Sequence, residues 1–195
     1  MKKQFFTALC AMAMLLPTQA KDYKYDTVKG DLMKSRIYTL DNGLKVYLTV
    51  NKEQPRIFAN IAVRTGSRND PAETTGLAHY FEHLMFKGTT HFGTSDYEKE
   101  KPLLDDIRAR FEVYRLEKDP DRRKQLYHEI DSVSQLAAQY FIPNEYDKMM
   151  SNMGAIDINA YTAYDETCYY EDIPSNELDT WLRIQSDRFQ NAVIR

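Results

Sequence analysis

The sequence predicts an α+β fold, a largely antiparallel sheet packed with helices and carrying an inserted helical hairpin. Three observations predict it. An Asn42-Gly43 pair sits between two runs of alternating hydrophobicity. A stretch of helical periodicity covers about 95–150, and strand-like alternation returns after Gly154.

Residues 37–41 lead into Asn42-Gly43 and residues 44–50 lead out, which reads as a β-hairpin because both turn residues tolerate positive φ. Leu44, Val46, Leu48 and Val50 fall on one face of the second strand. A third strand is expected over 56–64, with Ile57, Ala59, Ile61 and Val63 on one side. The run from Thr65 to Pro71 is rich in turn formers and ends it. A helix is expected from Thr74 or Thr75 to Lys87, stopped by Gly88. Leu103, Leu104, Ile107, Phe111 and Leu116 then recur at helical spacing. Asp119-Pro120 breaks the pattern, and Leu126, Ile130, Val133, Leu136, Ala137 and Tyr140 resume it. With neither Gly nor Pro between Pro120 and Pro143, an antiparallel helical hairpin is the economical reading, its charges a solvated face. Strands follow over 156–161 and 167–173. A last helix begins near Ser175, with Leu178, Trp181, Leu182 and Phe189 as its apolar stripe.

The 195 residues are 43% hydrophobic and 28% charged, with a net charge of −3. This is the composition of a globular chain without a basic footprint for nucleic acid. Residues 1–20 differ in kind. Lys2 and Lys3, an apolar run and a small residue at Ala20 read as a secretory signal peptide, so the product is expected to be exported, to the periplasm or beyond. The apolar run is too short to span a bilayer, and the mature chain has no transmembrane segment. Cleavage would take the net charge from −3 to −5 and leave Cys168 as the single thiol, without an internal disulfide. Residues 21–195 are then read as one domain, whose core must come from packing alone.

The chemistry concentrates in His79-Tyr80-Phe81-Glu82-His83. At about 100° per residue His79 and His83 lie one turn apart with Glu82 beside them, while Leu77, Phe81 and Leu84 are expected on the opposite, core side. Two imidazoles at this spacing can share one Zn²⁺, and a carboxylate between them can act on a zinc-bound water without being a ligand. Glu82 would take the water's proton and pass it to the leaving amine. His91 and His128 lack such company and read as surface residues, and Cys168 as a small buried residue on a strand.

His-x-x-Glu-His resembles the inverted zinc motif of the pitrilysin and insulysin family, which includes the mitochondrial processing peptidases. Asp41-Asn42-Gly43-Leu44, Gly66-Ser67-Arg68, the run from Gly76 to Thr89, and Asn159-Ala160-Tyr161-Thr162 with Asp165, Thr167 and Tyr169 resemble family segments in the same order. The resemblance implies a zinc metallopeptidase with His79 and His83 as ligands and Glu82 as general base. It also implies a peptide substrate paired along the strand at Asn159 and Ala160 by β-augmentation. The alternative for Asn159 and Ala160 is a structural turn into the strand. A second homologous domain or subunit is the implied partner. The helical stretch is longer than in compact relatives and looks like an insertion. A catalytic zinc takes three protein ligands, and the family's third, a Glu on a later helix, would fall beyond Arg195. Glu166, Glu171 and Glu177 precede that position and are not promoted. The expectation is the N-terminal portion of a metallopeptidase. The competing expectation is a non-catalytic peptide-binding or structural subunit of the same fold.

Overall fold

The computed structural model describes residues 22–195; the signal-peptide reading of residues 1–20 lies outside them. The described residues form two compact units that divide between Gln54 and Pro55. In chain order the strands and helices are β1 (Tyr25–Asp26), β2 (Arg36–Thr39), β3 (Lys45–Leu48), β4 (Arg56–Val63), α1 (Leu77–Leu84), α2 (Tyr97–Leu116), α3 (Pro120–Ala138), α4 (Glu145–Asn152), β5 (Ile156–Thr162), β6 (Thr167–Pro174) and α5 (Leu178–Gln190).

The first unit is a three-stranded antiparallel sheet in the order β1-β2-β3. The hairpin at Asn42-Gly43 is present, but its turn is one residue longer than the two-residue reading. Gly43 N donates to Leu40 O and Leu40 N to Leu44 O, both at 2.9 Å. The loop is therefore Asp41-Asn42-Gly43, with only Gly43 at positive φ (84°). One left-handed glycine after a tight turn matches the twist of the strands that flank it. The apolar face expected on the second strand is little buried, since Leu44, Leu48 and Val50 are all exposed.

In the second unit β4 joins a second antiparallel sheet, of order β4-β6-β5, and not the hairpin that precedes it in sequence. β6 is the middle strand, pairing Val63 with Thr167 and Arg56 with Pro174 on one side and Thr162 with Thr167 on the other. Central placement buries both of its faces. Ile57, Ala59, Ile61 and Val63 turn inward as expected, while Phe58, Asn60 and Ala62 face out. The core gathers Ala59, Phe92, Tyr146, Met150, Ala155, Ile173 and Trp181. Cys168 is a buried free thiol on β6.

The expected helical hairpin is α2 and α3. Asp96 and Asp119 cap them, accepting from Lys99 N (3.2 Å) and Arg122 N (2.7 Å), and Pro120 opens α3 where its missing N–H costs nothing. Leu126, Ile130 and Ala137 are buried along α3. Arg123 closes the end of α2, donating to Tyr114 O and Glu117 O and lying over the Tyr114 ring. The charges do form a solvated face of pairs one turn apart, such as Lys101–Asp105 and Arg115–Glu112.

α5 departs from the expected stripe. Trp181 is buried, but Leu178, Leu182 and Phe189 are exposed, and the inward positions are Gln185 and Arg188. The reason is Glu171, a carboxylate on β6 with no exposed surface. It accepts from Tyr146 Oη (2.6 Å), Trp181 Nε1 (3.1 Å) and Gln185 Nε2 (3.3 Å), and Arg188 Nη1 stands 3.7 Å away. A buried charge needs such partners more than the helix needs two further leucines in the core. Burial, more than any single neighbour, pushes the Tyr146 phenol up and keeps it a donor.

Gly66 shows how closely the segments dock. A Cβ there would meet Ala163 O at 2.4 Å and Glu166 N and Tyr164 O at 2.6 Å. All three are backbone atoms of the β5–β6 turn, so Gly66→Ala is expected to cost about 1–3 kcal/mol, read as a lowered urea midpoint. Further on, Asp187 accepts from Thr89 Oγ1 (2.6 Å) and Asn191 Nδ2 (2.7 Å) and pairs with His91 Nδ1 (2.6 Å). Burial raises its carboxyl pKa, but these hydrogen bonds together outweigh burial and hold it below the ordinary carboxylate range. A depressed folded pKa gives stability that is complete above the unfolded value of ~3.9 and is lost as pH falls through the folded value. Asp187→Asn should therefore flatten the acid limb of stability below about pH 4, measured as urea midpoint against pH.

Candidate active site

α1 presents the motif. It begins later than the sequence suggests, at Leu77, because Gly76 takes a left-handed conformation (φ 90°) that no helix interior accepts. No side chain of its own caps it. Its first amides are met from outside: Asp70, at the end of a 3₁₀ turn over Ser67–Asn69, accepts from Gly76 N (2.7 Å) and Ala78 N (2.8 Å). At the other end Arg188 Nε donates to Met85 O (2.9 Å). α1 packs against β5 and β6.

The structure brings the two histidines together. His79 Nε2 and His83 Nε2 stand 2.9 Å apart, with ring centroids at 4.8 Å, and both side chains are exposed. Two nitrogens bound to one tetrahedral zinc would stand ~3.3 Å apart. The pair therefore fits a shared divalent cation after a shift of a few tenths of an ångström. Among the described residues no group of three His, Cys, Asp or Glu side chains is arranged to hold a metal ion.

Glu82 lies on the adjoining side of the helix and is buried, at 7% exposure. Its Oε2 accepts a 2.5 Å hydrogen bond from the Thr162 hydroxyl at the end of β5. Its Oε1 has no hydrogen bond among the described residues. Thr162 is in turn 3.5 Å from Thr167 Oγ1, which donates to Thr65 O. The Tyr169 phenol is pushed up first by burial and further by the Glu82 charge, with Arg188 opposing. The expected division of the helix is corrected in one respect. Phe81, expected in the core, is 46% exposed, while Ala78, Glu82 and Leu84 are the buried positions. The helix leans its Glu82 side against the sheet, and nothing in the structure explains the exposure of Phe81 between Ala78 and Leu84.

Asn159 and Ala160 lie on β5, which is the outer strand of its sheet. Ala160 N is engaged by the Asn159 side chain (Oδ1, 2.9 Å), so the edge donor is covered by its own neighbour. A register shift between Ile156 and Asn159, with Asp157 at φ 53°, precedes this stretch. The carboxylates not promoted from sequence are occupied elsewhere. Glu171 is in the core, Glu177 takes a hydrogen bond from Asn176, and Glu166 accepts from Tyr161 Oη at 2.9 Å, which raises that phenol to about 12. His91 pairs with Asp187, and His128 is exposed on α3.

Sequence reasoning missed Thr162, Asp70 and Arg188 as partners of this helix. Thr162 was visible as part of the Asn-Ala-x-Thr stretch, and a carboxylate following Gly66-Ser67-Arg68 was the one available sign of a cap. Nothing local marks Arg188.

Residues 45–102 match the family described as Insulinase (Peptidase family M16). A probable mitochondrial-processing peptidase subunit beta of Arabidopsis thaliana is 33% identical over 81 residues, 42% of this chain and 15% of that protein. An uncharacterized zinc protease of Rickettsia felis is 27% identical over 158 residues, 80% of this chain and 26% of that protein. The chain thus spans only a minor part of the curated relatives it matches. Among solved structures, pitrilysin superposes with a TM-score of 0.52 at 17% identity, covering 88% of this chain and 14% of its own. The first half of the periplasmic protease PqqL from Escherichia coli gives 0.53 at 20%, covering 86% and 27%. Those two likenesses speak for the α+β fold, and the motif region, residues 45–102, is what this chain shares with the insulinase family, peptidase family M16.

Proposed function

We propose that this chain carries the catalytic motif of a zinc metallopeptidase that hydrolyses peptide bonds in extended peptides. The observation that carries the reading is the pair of facing imidazoles, His79 and His83, with a buried carboxylate, Glu82, held on the adjoining side of the same helix. His79 and His83 supply two of the three protein ligands that a catalytic zinc takes, and the third comes from outside the described residues. Zinc, when bound, acidifies water and polarises a scissile carbonyl. Glu82 is the general base. With Oε2 fixed by Thr162, Oε1 is the oxygen free to take a proton from the attacking water and return it to the leaving amine.

β5 is the strand along which an extended peptide pairs, at Asn159 and Ala160, once the Asn159 amide swings off the Ala160 N–H. A substrate held this way lies beside the strand that positions the base, because Thr162 is on β5. The partner is a second homologous domain or subunit that closes over the peptide. Export follows from the leader over 1–20, and no helix among the described residues is long and apolar enough to cross a membrane. The PqqL relative in fold is periplasmic by its own description.

Zinc titration against a chromophoric chelator is expected to find about one site per chain, lost in His79→Ala and His83→Ala and kept in Glu82→Gln. Cleavage of an unstructured peptide should fall at least ~10²-fold in Glu82→Gln. Zinc binding indifferent to His79 would sink the reading. Zinc and peptide binding without cleavage would support the non-catalytic, peptide-binding alternative.

Thr162→Val removes the hydrogen bond to Glu82 without touching the histidines. It should lower kcat about 10-fold, the worth of one hydrogen bond to a charged group, with zinc affinity unchanged. An equal loss in zinc affinity would count against the role given to Thr162.

A further inference from the structure

We infer that Asp70 and Arg188 form a two-ended clamp on α1 and act as positioning residues for the His79–His83 pair, setting its affinity for zinc. The inference rests on the zinc reading of that pair. It starts from a weakness: α1 has eight residues, no acid in its first turn and no side-chain cap of its own. A helix of that length does not hold itself together in water. Both of its ends are instead met by distant charged groups of the favourable sign. The Asp70 carboxylate takes the amides of Gly76 and Ala78, and the Arg188 guanidinium takes the carbonyl of Met85. A negative group at the first turn and a positive group at the last complement the helix dipole.

Neither arm of the clamp is free to drift. Arg188 is almost fully buried, with its guanidinium carbon 4.4 Å from the Phe86 ring centre and 4.5 Å from those of Tyr146 and Tyr169. Asp70 closes a loop pinned to the β5–β6 turn by Ser67 N to Ala163 O and Arg68 N to Tyr164 O, both 3.0 Å, and by the Arg68–Asp165 ion pair.

The imidazoles, by contrast, have no such support. Metal-binding histidines ordinarily give their second ring nitrogen to a hydrogen-bond partner that fixes the ring. Among the described residues His79 and His83 hydrogen-bond only to each other through Nε2, and neither Nδ1 has a partner. Their separation is therefore set by the backbone of α1, and that backbone is set by its two ends.

The test titrates zinc into the parent chain and its Asp70→Ala, Asp70→Asn and Asp70→Glu variants against a chromophoric chelator. Amide exchange is followed in the same metal-free proteins. Asp70→Ala is expected to weaken zinc binding about 10-fold, as loss of a supporting partner does at other zinc sites. Asp70→Asn, which keeps the shape and loses the charge, should fall between it and the parent, and Asp70→Glu should recover most of the loss. Amides of α1 should exchange faster while those of β4 and β6 are unchanged. Arg188→Gln should add a further loss of zinc affinity.

Two results overturn the clamp. One is an Asp70→Ala chain with sheet protection intact, unchanged α1 exchange and zinc affinity within about two-fold of the parent, well short of the usual supporting-partner effect. The other is a loss of sheet protection in step with zinc affinity, which would make Asp70 a general structural residue. If His79→Ala titrates like the parent, the zinc reading itself has failed. The exchange arm, which needs no metal, then decides whether Asp70 holds α1.

Discussion

A carboxylate sealed inside the sheet governs the second unit. Glu171 sits on the middle strand with no exposed surface, and leaving it ionised without partners would cost several kcal/mol. Its partners come from two helices: Tyr146 from α4, and Trp181, Gln185 and Arg188 from α5. Each helix must therefore sit within hydrogen-bond reach of one point on β6. This directional requirement fixes their placement more sharply than apolar contact alone, which is indifferent to small slides. Arg188 then carries the constraint outward, because the guanidinium that faces Glu171 also holds Met85 O at the end of α1. One of its nitrogens, Nη2, is buried without a hydrogen bond among the described residues and rests among aromatic rings instead. That arrangement suits a guanidinium and would not suit an ammonium, whose charge is compact and strongly hydrated.

The motif divides into exposed and buried parts for a reason visible in the helix geometry. His79 and His83 share one side, and Glu82, set about 100° from His83, falls toward the sheet. The two imidazoles can then meet a cation from solvent while the carboxylate is gripped by Thr162 from β5. A carboxylate in the same position on a free helix would turn with its own rotamers. Here one oxygen is fixed and the other left open among the described residues, the asymmetry that the proposed role of general base would use.

Much of this was legible in the sequence where the signal is local. The facing of His79 and His83 follows from their spacing, the hairpin from Asn42-Gly43, and the two long helices from their periodicity and the Asp119-Pro120 break. What was not legible depends on partners far along the chain. β4 pairs with β6 across more than a hundred residues, and no pattern in 56–63 names that neighbour. Phe81 reads as core by hydrophobicity, yet the buried position is Glu82, whose partner is eighty residues away. In α5 the apolar stripe pointed to Leu178, Leu182 and Phe189, and the buried charge on β6 turned Gln185 and Arg188 inward instead. In each case a tertiary demand overrode a local preference at a residue that touches α1 or the core behind it.

The segment over 64–70 ties these demands together. Gly66 allows its backbone to lie against the β5–β6 turn with no room for a Cβ, and the same loop delivers Asp70 to the start of α1. The turn it rests on joins β5, which carries Thr162, to β6, which carries Thr167 and Glu171. The imidazoles and Glu82 are thus referred to one short piece of sheet, the first through the backbone of α1 and the second through a side-chain hydrogen bond. On the proposed reading the substrate adds to the outer edge of that same β5, two residues from Thr162. Ligands, base and peptide would then take their positions from a single turn and its two strands. A displacement of that turn would carry all three together, preserving their distances where independently mounted groups would lose them.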